Sequence, residues 1–153
     1  MPEGTFTRMR ESGPELVTTD DLFNGKKVMV FSVPGAFTPT CSARHLPGYI
    51  DNAPAIRAKG VDTIACMSVN DVFVMAAWGD STGAGDNVLM LADGNGTYAA
   101  ALGLELDASG SGMGTRAQRF SMLVDDGVVT QLNIEPAGEF GVSSAETALE
   151  QLG

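Results

Sequence analysis

Two cysteines, Cys41 and Cys66, are too few for a disulfide scaffold, and with a single histidine, His45, they make a poor metal set. Basic residues are scarce as well: nine Lys and Arg against nineteen Asp and Glu, a formal net charge of −10. That balance argues against nucleic acid and anionic membrane as partners. No stretch approaches the roughly 20 consecutive apolar residues of a membrane helix. The opening segment, MPEGTFTRMRESGPE, has no apolar run of the secretory kind. The expectation is a cytoplasmic protein in a reducing compartment, where a cysteine is either catalytic or simply buried. Glycine-rich stretches at 83–85, 94–96 and 109–114 match neither a dinucleotide nor a P-loop spacing, so no cofactor is expected. Internal repeats and long linkers are absent, and residues 1–153 read as a single domain. What remains is 44% hydrophobic and 18% charged, enough for a core and too little charge for disorder.

The pattern along the chain alternates. Lys26–Val33 is a β-rich run ended by the breaker pair Pro34-Gly35. A helical segment from about Cys41 to Ala58 carries Pro47 and Pro54, which are expected to kink or interrupt it. Val61–Val69 reads as a second buried strand, followed by a helix capped at Asn70-Asp71 and running to about Trp78. Val88–Ala92 is a third strand and Tyr98–Leu104 a short helix. Phe120–Val124 and Val128–Leu132 flank Asp125-Asp126-Gly127, a hairpin signal. Ser143 or Ser144 would cap a last helix through Leu152. The sum is an α/β fold with a central mixed sheet flanked by helices.

The acidic residues avoid two windows. None falls between Leu22 and Ile50, and none between Ala108 and Val124. The first window holds Cys41, Arg44 and His45, and the second holds Arg116 and Arg119. Brought together, they would form a cationic site in an anionic protein, the setting that favours a thiolate. Cys41 opens the expected helix, where unsatisfied N–H groups and the helix dipole also favour an anion. Thr38, three residues earlier, can offer a hydroxyl to the sulfur. Pro34 shapes the pocket without adding a donor. Other readings compete. A cysteine at a helix start can be a plain buried residue. His45, four residues on, could pair with it as a nucleophile's base or form half a metal site, or be a hydrogen-bonded structural residue. Cys66, mid-strand among apolar neighbours, reads as an inert buried thiol or as a resolving cysteine.

The segment Pro34-Gly35-Ala36-Phe37-Thr38-Pro39-Thr40-Cys41-Ser42, followed by His45-Leu46-Pro47-Gly48, closely resembles the active-site segment of peroxiredoxins, in particular the type V branch that includes the plant type II enzymes. The resemblance extends through Asp21-Leu22-Phe23, Gly25-Lys26-Lys27, Ser68-Val69-Asn70-Asp71, Trp78-Gly79, Arg119-Phe120-Ser121-Met122 and Asn133-Ile134-Glu135-Pro136. It implies a thioredoxin-like fold and a thiol peroxidase acting on hydrogen peroxide and small alkyl hydroperoxides. The family's Pro-x-x-x-Thr-x-x-Cys pattern falls on Pro34, Thr38 and Cys41, and its active-site arginine on Arg119, which would donate to the thiolate and the peroxide oxygen. Arg116 would be a neighbouring charge. Some members carry a resolving cysteine after the Glu-Pro-x-Gly stretch; here Glu135-Pro136-Ala137-Gly138 leads to Ser143-Ser144 and no cysteine. That departure implies a one-cysteine cycle with an external thiol as reductant, glutathione with glutaredoxin ahead of thioredoxin. The resemblance also implies a homodimer, with Phe37, Phe73 and Trp78 as interface candidates. A non-catalytic thiol redox sensor on the same fold, or a cysteine hydrolase built on Cys41 and His45, are the rival functions.

Overall fold

A computed structural model describes residues 1–153. Nine strands and five helices follow one another as β1 (Thr5–Arg10), β2 (Gly13–Thr18), α1 (Thr19–Phe23), β3 (Lys27–Ser32), α2 (Leu46–Ala58), β4 (Thr63–Ser68), α3 (Val72–Thr82), β5 (Leu89–Ala92), α4 (Thr97–Leu102), β6 (Glu105–Asp107), β7 (Thr115–Ala117), β8 (Phe120–Asp125), β9 (Val128–Ile134) and α5 (Ala145–Leu152). Seven strands form one mixed sheet in the order β2-β1-β5-β4-β3-β8-β9, and β6 with β7 make a separate ribbon. The centre, β3, β4 and β5, is parallel; β1 and β8 run antiparallel to it, and the outer strands β2 and β9 are each antiparallel to their neighbour. This is the thioredoxin-like α/β arrangement, a mixed sheet flanked by helices.

The central strands read as unbroken apolar runs because both faces are covered. Side chains alternate along them with period two. Met29, Phe31 and Val33 of β3 and its extension, with Ile64 and Cys66 of β4, join the core that α2, α3 and α5 close through Tyr49, Ile56, Met75, Trp78 and Ala148. Val28, Val30, Ala65 and Met67 face the opposite core, which includes Phe6, Leu22, Phe23 and Tyr98. The helical caps are local. Asp71 accepts from Val74 N at 2.8 Å to start α3, and Ser144 accepts from Thr147 N to start α5. At the β8–β9 hairpin, Asp126 and Gly127 both have positive φ, 48° and 80°, as a two-residue type I′ connection requires.

Two expectations are corrected. The Cys41–Ala58 segment is not interrupted at its prolines. Pro47 sits in the first turn of α2, directly after a π-helical turn, and Pro54 lies on the exposed side of a helix that continues through it. The irregularity comes earlier: Cys41–His45 is a π-helical turn in which Leu46 N–H reaches back to Cys41 O. The β1–β2 hairpin, turning at Glu11-Ser12, was not expected at all. Trp78, named as an interface candidate, is instead core, since its side chain is fully buried.

Candidate active site

The chain leaving β3 cannot continue as a strand. Pro34 follows Val33 directly, and the loop is then pinned to the neighbouring parallel strand. Ala36 N–H donates to Asn70 Oδ1 at 3.0 Å, and the same oxygen accepts from the Ser68 hydroxyl at 2.7 Å. Gly35 leaves little room for a side chain: a Cβ there would stand 3.1 Å from Met113 Cε and 3.2 Å from Thr38 Cγ2. Phe37 adopts a left-handed backbone, φ 63°, and turns its ring outward, 54% exposed. The strain places Pro39 and Thr40 at the start of the following turn. Ser42 N–H bonds Thr38 O at 2.9 Å, so Cys41 sits in the first helical turn.

Cys41 is fully buried and unbridged. Arg119, the residue before β8, donates from Nη2 to Cys41 Sγ at 3.0 Å and from Nη1 to His45 Nδ1 at 2.8 Å. The π turn matters here, because Cys41 and His45 bound it and a single guanidinium reaches both. His45 Nε2 donates in turn to Ser143 O at 3.0 Å, and the Tyr49 hydroxyl reaches the same carbonyl at 2.8 Å. Burial, reinforced by the Arg119 guanidinium, pushes His45 down to about 3, so it is a neutral acceptor toward Arg119 at physiological pH. Phe140 closes one side, its ring 5.0 Å from that of His45 and 4.7 Å from the Arg44 guanidinium carbon.

The two acid-free windows therefore meet, with Arg119 over Cys41. Arg116 does not join them at the sulfur. Its side chain donates to Met113 O at 2.9 Å and Val69 O at 2.8 Å, bracing the loop beside Gly35. The Thr38 hydroxyl donates to Gly35 O at 2.7 Å, which uses its one hydrogen and leaves its lone pairs as acceptors. A hollow of about 200 Å³ beside the site is lined by Pro34, Thr40, Arg119, Glu135 and Gly138 among others. A larger one, about 480 Å³, lies at the far end of the sheet, between Arg8, Arg57 and Asp62, and contains none of these residues. None of Cys41, His45 and Arg119 lines it, so it takes no part in the arrangement around the sulfur.

Cys66 has none of this. It lies in β4 between Phe31 and Met90, and burial, reinforced by the nearby Cys41, pushes its thiol up. Reasoning from the sequence passed over Tyr49, Ser143, Glu135 and Phe140. Glu135 stands within Asn133-Ile134-Glu135-Pro136, but nothing in spacing alone ties it to a helix nearly ninety residues earlier.

Comparison with known proteins points to one family. The Redoxin family profile matches residues 1–149. Peroxiredoxin-2B of Arabidopsis thaliana is 48% identical over 153 residues, covering 99% of this chain and 94% of that protein. A chloroplastic peroxiredoxin, 2E-2 of Oryza sativa subsp. japonica, is 51% identical over 157 residues, covering 99% and 70%. Among solved structures, reduced Prx3 from Vibrio vulnificus in complex with hydrogen peroxide superposes with a TM-score of 0.95 at 52% identity, covering 99% of this chain and 95% of that one. With a profile match along almost the whole length and relatives near half identity, the chain belongs to the Redoxin family and, within it, to the peroxiredoxins.

Proposed function

We propose that Cys41 is the peroxidatic nucleophile of a type V, plant type II-like thiol peroxidase, recycled by a one-cysteine route with glutathione and glutaredoxin. The observation that carries this is the 3.0 Å contact from Arg119 Nη2 to Cys41 Sγ. A fixed cation at hydrogen-bond distance favours the thiolate and is also placed to donate to an oxygen bearing developing charge. The sulfur attacks one peroxide oxygen. An S–O bond forms as the O–O bond breaks, the sulfur is oxidised by two electrons, and the leaving hydroxide or alkoxide takes a proton to become water or alcohol. Cys41 is then a sulfenic acid. Pro34 shields the pocket, and the free lone pairs of Thr38 Oγ1 are available to accept the peroxide hydrogen.

One glutathione thiol would condense with the sulfenic acid, releasing water and leaving a mixed disulfide. A second, delivered through glutaredoxin, would restore the Cys41 thiol and release glutathione disulfide. The one-cysteine route rests on the absence of any cysteine after Gly138 and on the position of Cys66, which is mid-strand and fully buried. The reducing setting this needs fits a cytoplasmic location. Exposed Phe37, beside the site, and Phe73, 64% exposed on α3, fit a homodimer contact.

One equivalent of peroxide followed by intact-mass measurement should show a gain of one oxygen. Glutathione should convert this to an adduct that glutaredoxin removes. A loss of two hydrogens, with a peptide linking Cys41 to Cys66, would overturn the one-cysteine route and move the donor toward thioredoxin. Sedimentation that shows monomer alone at high concentration would remove the dimer.

A further inference from the structure

Arg119 is held from behind by a neutral acceptor, and that acceptor is itself held. Ser143 O receives both His45 Nε2–H and the Tyr49 hydroxyl. Ser143 N–H and Oγ–H both donate to Glu135 Oε2, at 2.8 and 2.6 Å. The same oxygen accepts Gly141 N–H at 2.7 Å, and Glu135 Oε1 accepts Val142 N–H at 3.3 Å. Finally, Glu135 N–H donates to Arg119 O at 3.0 Å. The bonds form a closed circuit from Arg119 through Glu135, Ser143 and His45 back to Arg119.

We propose that Glu135 and Ser143 are positioning residues for peroxide reduction. The Glu135 carboxylate fixes the 141–143 loop so that the Ser143 carbonyl selects the Nε2–H tautomer of His45, and bare Nδ1 then aims Arg119 at Cys41. The inference rests on the peroxidase reading above.

The donor and acceptor inventory leaves one solution. Arginine only donates and a carbonyl only accepts, so the imidazole between them must be neutral, protonated on Nε2 and bare on Nδ1. A protonated His45 would set two donors face to face at 2.8 Å. The tautomer is therefore decided by where the Ser143 carbonyl points, and the hydrogen bonds that the Glu135 carboxylate accepts decide that. The four hydrogen bonds to the Glu135 carboxylate all come from the 141–143 loop. Burial by itself would raise this carboxyl, but those bonds outweigh it and hold it below its ordinary value. The carboxylate stays ionised among loop donors, and Arg119 is oriented by an uncharged ring. Its positive charge is not cancelled by an ion pair and remains available to the sulfur.

Glu135→Gln tests this, since an amide puts an NH₂ donor among N–H groups that all need an acceptor. Two readouts are needed. The sole histidine gives a single imidazole signal in ¹⁵N NMR. Wild type should show the pure Nε2–H tautomer, and Glu135→Gln a mixture of tautomers. The rate of Cys41 oxidation by hydrogen peroxide should fall about ten-fold, the usual effect of losing roughly 1.4 kcal/mol of transition-state stabilisation. In an Arg119→Met background the same substitution should cost less than about two-fold, because the aim of a missing arginine cannot be spoiled. Ser143→Ala, which removes one bond and keeps the backbone, should repeat the pattern more weakly and carries the test if Glu135→Gln does not fold. An unchanged tautomer, or an equal loss with and without Arg119, would overturn the positioning role. A wild-type protein that consumes no peroxide would instead sink the functional reading, and the imidazole signal would still decide the circuit.

Discussion

Cys41 and Cys66 share a core, and neither side chain is exposed to solvent. Burial alone disfavours a thiolate; the two differ in what stands next to the sulfur. Cys41 opens a helical turn against a guanidinium held at 3.0 Å. Cys66 lies in the middle of a strand between apolar neighbours, and the largest influence on it is desolvation. On the proposed reading, reactivity in this protein is assigned by donors and charge, not by accessibility. An exposure criterion would have passed over both thiols.

Four experiments press on that contrast. The largest effect is expected from Cys41→Ser, which should abolish peroxide consumption with a thiol reductant, while Cys66→Ser keeps most of it; equal losses would erase the distinction. Next, Arg119→Met strips Cys41 of the feature that separates it from Cys66. It should slow peroxide reduction by about 10²–10³, the range for losing one donor to a developing oxyanion. The deficit should persist at high pH, where ionisation no longer limits, and full recovery there would reduce Arg119 to a charge effect.

The third concerns acid. The folded pKa of His45 is depressed to about 3, against an ordinary value near 6.5, so the unfolded chain binds the proton first. Stability should fall as pH drops from about 6.5 toward 3, because below 6.5 the unfolded state binds more protons. His45→Gln should flatten part of that slope in urea titrations run at successive pH values. An unchanged slope would show that His45 is not held neutral. The smallest effect is on stability alone. Cys66→Ser buries a hydroxyl without an assigned partner and should cost about 1–3 kcal/mol. Cys41→Ser should cost less, because Arg119 can bond the new oxygen. Urea midpoints of the two variants should therefore rank opposite to their activities.

Much of the fold was legible because the central strands are apolar on both faces and the breakers are strong. Lys26–Val33 and Val61–Val69 needed only trimming at their ends, and Asp126-Gly127 fell where its turn requires. The β1–β2 hairpin was not legible, since Arg8, Arg10, Glu11 and Glu15 dilute a strand pattern whose buried members are few, chiefly Phe6 and Val17. Pro47 and Pro54 misled because proline is tolerated in a first turn and on an outer face, and sequence does not say which position applies. In the site, the local features of the 34–41 loop could be read directly. The π turn could not, and neither could the path from Glu135 to His45. Both depend on contacts between segments far apart in the chain. Arg116 and Arg119 looked alike as cations; only their partners tell them apart.

Trp78 is the one tryptophan in the chain, and its indole N–H donates to Ser42 Oγ at 3.0 Å, one residue from Cys41. A buried indole so tied is an optical gauge of this turn. Any change at the sulfur that shifts Ser42 must lengthen or break that bond, and fluorescence should register it within the time of the event. The molecule thus carries its own label, and the kinetics of its thiol can be followed in the native protein without a dye, an added chromophore or a coupled enzyme.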